Sequence, residues 1–203
     1  AKANPQRFDF EDVRPDLGSR NRTRAFVKVQ DGCDNRCAYC LTQVARGRST
    51  SINSGNVIAY IQKLQNLGTK EVVLTGVQLG SWGKDLSPRL NLSDLVKMIL
   101  DQTEIPRIRL SSIEPWDVTP GLIALFEDPR LCPHLHIPLQ SGSGEILQKM
   151  SRPGNTARFK DILALIREVR LVFAITTDVI CGFPGETDEL FQKSLEFAKS
   201  MGF

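Results

Sequence analysis

Cys33, Cys37 and Cys40 form the densest group of metal-binding side chains in the sequence. They read Cys33-Asp-Asn-Arg-Cys37-Ala-Tyr-Cys40, a C-x3-C-x2-C triplet that follows a short apolar run. Thiolates are soft ligands, suited to iron–sulfur clusters, zinc or copper. Three of them are one short of the four that usually close a structural zinc or iron–sulfur site. A cluster held by three protein ligands keeps one iron open for something else, so the pattern suggests a reaction site. Zinc remains an alternative, but it would need a fourth ligand from Cys132, His134 or His136, roughly a hundred residues further on. Three free buried thiols are the plainest alternative.

Other residues carry chemistry with less specificity. Thr75-Gly76, Ser111, Ser112 and Glu114 stand where strands are expected to end. Hydroxyls and a carboxylate there suit an amine or a ribose, although each also serves as an ordinary turn or cap. Asp178 lies inside the apolar run Ile175-Thr-Thr-Asp-Val-Ile180, where a buried carboxylate needs a partner such as Thr176 or an inward-facing role. Arg36, Arg46 and Arg48 make a basic cluster beside the cysteines, either a solvated loop or a contact for RNA phosphates. Cys132 and Cys181 fit no further ligand spacing and are expected to be structural. His136 is a structural residue or faces a ligand.

The elements that must position these residues alternate. Ala25–Val29 reads as a strand, 57–67 as a helix stopped by Gly68, and 71–75 as a strand ended by Gly76. A helix over 92–100 has Asn91 or Ser93 as a cap, and a strand over 107–111 follows. Thr119-Pro120 opens another helix. Then come a strand at 135–138, a helix at 159–169, a strand at 172–180 and a helix at 187–200. Strand and helix alternating about five times imply a parallel sheet with right-handed crossovers. Unusual residues after almost every strand favour a (β/α) barrel, whose chemistry sits at the strand carboxyl ends, over a doubly wound sheet.

Composition sets bounds. The chain has 203 residues, enough for one sizeable core, with 41% apolar and 24% charged residues, both ordinary for a soluble domain. No apolar stretch approaches the ~18 residues of a membrane span, and the N-terminus has no secretory signal. Five cysteines, three of them within eight residues, argue for a reducing compartment rather than a disulfide framework, and a cytoplasmic location is expected. A net charge of +3 is weak evidence for nucleic acid. Residues 1–23, broken by Pro5 and Pro15 and carrying Arg7, Arg14, Arg20 and Arg22, read as a linker or arm from a preceding domain. Residues 24–203 read as one core domain, interrupted before its last strand or strands.

The triplet, its strand-end position and Tyr39 before the last cysteine resemble the radical S-adenosylmethionine (SAM) superfamily. The likeness implies that the three thiolates hold a 4Fe-4S cluster and that SAM chelates the open iron. One electron from a reducing donor then yields a 5′-deoxyadenosyl radical. Further motifs are similar to the methylthiotransferases of this superfamily: Arg24-Ala-Phe-Val-Lys-Val-Gln-Asp-Gly-Cys33, Ala45-Arg-Gly-Arg48, Leu74-Thr-Gly-Val-Gln78, Leu110-Ser-Ser-Ile-Glu-Pro115, His136-Ile-Pro-Leu-Gln-Ser-Gly142, Met150-Ser-Arg152 and Thr176-Thr-Asp-Val-Ile-Cys-Gly-Phe-Pro-Gly-Glu186. The wording at the cysteines is most similar to enzymes acting on N6-threonylcarbamoyladenosine in tRNA.

The resemblance implies SAM contacts for Tyr39, Thr75, Gly76, Ser111, Ser112, Glu114, Gln140, Arg152, Gly182 and Phe183. Arg152 would pair with the SAM carboxylate, Thr75-Gly76 with its amino group, and Gly182-Phe183 would lie near the adenine. Relatives acting on isopentenyladenosine tRNA or on an aspartate of a ribosomal protein are alternatives, as is a non-catalytic zinc- or RNA-binding module. Full-length members of the family carry three more cysteines in a preceding domain and a β-rich RNA-binding domain after the core. The 203 residues contain only the middle, so the fragment is not expected to complete methylthiolation alone.

Overall fold

The computed structural model describes residues 24–153, 155–169 and 172–203. The expected arm, residues 1–23, lies outside the described residues. Strand β1 (Arg24–Asp31) alternates its side chains. Val27 and Val29 are fully buried on one side, while Phe26 and Lys28 lie on the other. Strands β3 (Glu71–Gly76) and β4 (Arg107–Leu110) join β1 in parallel, and the two-residue β2 (Thr50–Ser51) runs antiparallel on the outer edge of β1. Strands β5 (His134–His136) and β6 (Ala174–Thr176) form a separate parallel pair. It is stitched to β4 by single contacts: the Ile108 N–H donates to Arg130 O at 2.8 Å, and the Cys132 N–H to Ile108 O at 2.9 Å. Among the described residues, five parallel strands therefore follow one another in chain order around a partial barrel.

The helices cover the outer face. Helix α2 (Ser54–Asn66) starts where the Asn53 side chain accepts from the Gly55 N–H, and it buries Val57, Ile58, Ile61 and Leu64. Helix α3 (Leu92–Gln102) opens with a reciprocal capping box between Asn91 and Asp94 and buries Leu92, Leu95, Val96 and Ile99. Thr119 caps α4 (Pro120–Ala124), with Pro120 in its first turn. Helices α6 (Thr156–Val169) and α7 (Asp188–Ser200) follow the pattern expected from the sequence, with Thr187 capping α7. These apolar stripes meet Val27, Val72, Leu74, Ile108, Leu135 and Ile137 in one continuous core. Burial of each such side chain is worth about 1.5–3 kcal/mol against exposure.

Several expectations change. Helices α1 (Thr42–Arg46) and α5 (Gly144–Lys149) and strand β2 are too short to show a period in the sequence. The strand expected over 172–180 is regular only at Ala174–Thr176. Thr177 ends it by side-chain substitution: its hydroxyl donates to Ile137 O at 2.8 Å and accepts from the Leu139 N–H at 2.9 Å. Pairing resumes only at a single bridge between Val179 and Gln140. The strand expected at 135–138 is His134–His136.

Away from the helices, the opposite face of the sheet is mixed, with Phe26 and Val73 among Lys28, Glu71, Thr75 and Arg109. At its amino-terminal edge Glu71 receives Arg24 at 2.8 Å, Arg107 at 3.0 Å and Arg109 at 3.1 Å. Burial alone would raise the Glu71 carboxyl, but the guanidiniums outweigh it and hold the group below its ordinary value.

Candidate active site

At the carboxyl end of β1 the chain turns sharply. Gly32 has φ of +73°, and a Cβ there would meet Arg48 O at 2.0 Å. Only glycine lets the Gly47–Arg48 backbone cross so close. The crossing is tied by the Cys33 N–H donating to Gly47 O at 3.1 Å. The two motifs Asp31-Gly-Cys33 and Arg46-Gly-Arg48 are thus halves of one closed loop that presents the cysteines.

Gln30, fully buried, fixes this loop from beneath. Its amide donates to Asp31 O at 2.7 Å, Gly32 O at 2.8 Å and the Ser49 hydroxyl at 2.9 Å, and its oxygen accepts from the Gln78 N–H at 2.7 Å. A Cβ at Gly76 would come within 2.8 Å of that same oxygen, which is why glycine ends β3. Asp31, also buried, accepts from the Gly32 N–H and pairs with Lys28. Burial pushes its carboxyl up, yet those partners together with Arg46 hold it below the usual range.

The cysteine loop opens on a cleft with about 540 Å³ of space, lined by Cys33, Cys37, Tyr39, Cys40, Glu114, Gln140 and Arg152, together with Asn35, Thr42 and Val77. Of the thirteen residues expected to form the site, these first seven converge on the cleft. Phe183 borders it edge-on against Tyr39, with ring centroids 6.5 Å apart. Thr75, Gly76, Ser111, Ser112 and Gly182 do not line it. Gly76 directly precedes Val77, which does, and Ser112 is exposed. Among the described residues the buried Ser111 hydroxyl finds no hydrogen-bond partner, although it stands beside the strand end. Asn35, Thr42 and Val77 escaped the sequence reading because no chemistry marks them; only the loop's path brings them in.

Arg152 is buried, and both terminal nitrogens of its guanidinium have protein partners. It pairs with Glu114, donates to Pro138 O at 2.7 Å and to the Tyr39 hydroxyl at 3.3 Å, and stacks 5.1 Å above the Trp116 ring. Burial drives the Glu114 carboxyl above its ordinary value against the pull of Arg152. Burial also pushes the Tyr39 phenol up to about 12, opposed by Arg152 and reinforced by Cys37 and Glu114. The Cys33 thiol is raised by burial and by the neighbouring Cys37, Cys40 and Glu114. Three perturbed groups gathered in one cleft make it the candidate site.

Gln140 takes a left-handed backbone, φ 64°, rare outside glycine and common where a site imposes strain. Asp178 departs from expectation. It lies past the end of β6 with its side chain mostly exposed, and it pairs with His136 at 3.2 Å rather than with Thr176. Thr176 instead joins the two histidines, 2.9 Å from His136 and 3.2 Å from His134. Arg46 and Arg48 approach Asp31 and Asp34 at 3.9 and 3.6 Å, and Arg36 is exposed. Cys132 is buried in the core, as a structural cysteine should be, and Cys181 is exposed.

The donor set fits an iron–sulfur cluster. Among the described residues, no three His, Cys, Asp or Glu side chains close on a point where one ion would sit. A cluster needs no such point, because each thiolate binds a different iron. The three thiols line an open cleft together with the Glu114 carboxylate and the Gln140 amide, groups that suit a second ligand. No helix among the described residues is long and apolar enough to cross a membrane.

Comparison with known proteins agrees with this geometry. Residues 27–198 match the Radical SAM superfamily. The chain is 41% identical over 205 residues to the threonylcarbamoyladenosine tRNA methylthiotransferase MtaB of Thermotoga maritima, covering 99% of this chain and 46% of that protein. It is 37% identical over 188 residues to the tRNA-2-methylthio-N(6)-dimethylallyladenosine synthase of Clostridium botulinum, covering 92% and 42%. The chain thus spans less than half the length of these curated relatives. In fold it is similar to the radical SAM methyltransferase TsrM of Kitasatospora setae, with a TM-score of 0.72 at 16% identity over 88% of this chain and 34% of the other. It is also similar to methylornithine synthase, with a TM-score of 0.59 at 13% identity over 88% and 50%. By its matched span, its half-barrel and its cysteine cleft, the chain belongs to the radical SAM superfamily.

Proposed function

We propose that this chain is the radical-generating part of a tRNA methylthiotransferase. Cys33, Cys37 and Cys40 would hold a 4Fe-4S cluster, and the cleft would seat SAM at the open iron. Bound there and given one electron by a reducing donor, the pair would supply an organic radical able to take a hydrogen atom from an aromatic C–H. The observation that carries this reading is the convergence of three thiols from one strand-end loop with Glu114, Gln140 and Arg152 on a single cleft.

The protein's own residues bind and orient. Glu114, locked by Arg152, offers a fixed acceptor for the SAM ammonium or ribose. Arg152 holds Glu114 and Tyr39 in place through its two terminal nitrogens, and a SAM carboxylate pairing with it would share those nitrogens with Glu114. Gly182-Phe183 would flank the adenine, with Phe183 fixed against Tyr39. Arg36, Arg46 and Arg48, beside the cleft, would meet RNA phosphates. A reducing protein or small donor would supply the electron.

The substrate we assign is N6-threonylcarbamoyladenosine next to the anticodon, converted to its 2-methylthio derivative by the whole protein. One SAM would supply the radical and another the methyl group. Support comes from the wording around the cysteines and from the 41% identity to MtaB. The second reading, a dimethylallyladenosine substrate, is favoured by the 37% identity to the Clostridium botulinum enzyme.

Anaerobic reconstitution with iron and sulfide should give about four irons per chain and a brown chromophore, and Cys37→Ala should abolish both. A colourless protein with one zinc would end the proposal. Mass spectrometry of tRNA nucleosides from cells lacking the full-length protein decides the substrate: loss of the methylthio mark from threonylcarbamoyladenosine supports the assignment, and loss from the isopentenyl nucleoside overturns it.

A further inference from the structure

The three thiols do not have the same surroundings. Among the described residues, the hydrogen bonds of the Cys40 sulfur stay within its own turn, 3.0 Å from the Thr42 hydroxyl and 3.4 Å from the Thr42 N–H. The Cys33 sulfur accepts the Asn35 N–H at 3.4 Å and also reaches another strand end, where its S–H donates to Gln78 Oε1 at 3.3 Å. Gln78 is 7% exposed. Its N–H is held by Gln30, and its carbonyl accepts from both the N–H and the hydroxyl of Ser81, each at 2.8 Å. Ser81 in turn lies 2.6 Å from the Ser49 hydroxyl, which Gln30 also binds. Three side chains, Gln30 on β1, Ser49 before β2 and Ser81 after β3, thus fix the Gln78 backbone so that its carboxamide stands against one sulfur.

A carboxamide has an acceptor end and a donor end of nearly equal shape, and its partner decides which one faces inward. A protonated sulfur selects the oxygen. A sulfur that has lost its proton to iron has no hydrogen to give, and an oxygen at 3.3 Å would then oppose its charge. Rotation about the last side-chain bond replaces that oxygen with an N–H donor without moving the backbone.

We infer that Gln78 is a positioning residue for the iron–sulfur cluster, turning its amide to donate an N–H to the Cys33 sulfur and thereby raising the cluster's reduction potential. The inference rests on the cluster assignment above. N–H donors to cluster sulfurs stabilise the reduced, more negative state. The contact makes the iron bound by Cys33 electronically distinct from the one bound by Cys40.

The test is a reductive titration of the anaerobically reconstituted protein, followed by electron paramagnetic resonance, in wild type, Gln78→Leu, Gln78→Glu and Ser81→Ala. Loss of the donor should lower the reduction equilibrium by about tenfold, ~59 mV for one electron. Gln78→Leu and the near-isosteric Gln78→Glu should both show the fall. Ser81→Ala, which loosens the same loop but keeps the carboxamide, should not. Wild-type potentials in both Gln78 variants overturn the inference and leave the cluster assignment standing. A wild-type protein that takes up iron and sulfide but shows no reducible cluster overturns both.

Discussion

The two halves of the half-barrel are built differently. Around β1, β3 and β4, the ladders run over six and four residue pairs with one irregularity between Lys28 and Gln30, and the loops at the strand ends are locked by buried side chains, with Gln30 alone making four hydrogen bonds. Around β5 and β6, only three residue pairs make the ladder, single bridges replace the sheet, and the polar residues past the strands are open. Gly32 and Gly182 show the contrast in one residue type. Both have positive φ, +73° and +74°, but a Cβ at Gly32 strikes backbone, while one at Gly182 meets nothing within 4 Å. The first half is shaped to hold the cysteines at fixed positions. The second half supplies the far wall and tolerates change.

The largest effect should follow Gly32→Ala. Left-handed backbone costs about 1–3 kcal/mol for a non-glycine residue, and the overlap with Arg48 adds about 1–3 kcal/mol. Denaturant unfolding should show a loss of roughly 3 kcal/mol or more, with failure to take up iron. A mild effect would mean that the cysteine loop is not the rigid half of the comparison.

Next in size is Glu71→Gln, which strips the shared carboxylate from Arg24, Arg107 and Arg109. Water reaches Arg24 and Arg107, so the loss should be about 1–2 kcal/mol near neutrality. Because the folded carboxyl lies below its unfolded value of about 4.3, Glu71 contributes stability above that pH and loses it as acid protonates the folded form. The variant should therefore show a shallower acid limb in stability measured from pH 6 to pH 3. Parallel wild-type and variant curves would show that this corner does not pin the first half.

Gly182→Ala should cost only about 1 kcal/mol, the backbone term without a clash, and should leave iron uptake intact. The smallest change is expected for Asp178→Asn, within about 0.5 kcal/mol, because water already surrounds the carboxylate. A thermal melt of each variant, scored beside Gly32→Ala, measures how far the second half is the tolerant one.

Legibility in the sequence follows the same division. The α2, α3 and α6 stripes and the Thr119 and Thr187 caps could be read because their rules are local. The same is true of the cysteine triplet, whose spacing carries its own chemistry. Asp178 was misread because an apolar run looks like a buried strand until Thr177 ends it with its side chain. Gln30 and Gln78 carry no motif chemistry, and their importance comes from contacts 48 residues apart. Arg152 could be named as a site residue, but nothing local showed that Glu114, Tyr39, Pro138 and Trp116 already occupy its guanidinium.

By itself, the sequence determined the donor set, the alternation of strands and helices, and the placement of the cysteines at a strand end, all consequences of residue type and short-range period. Only the tertiary structure decided which strand ends meet in the cleft, which acids and bases are already paired there, and which glycine is indispensable. Those depend on backbones far apart in the chain coming within contact distance, and no local period encodes that approach.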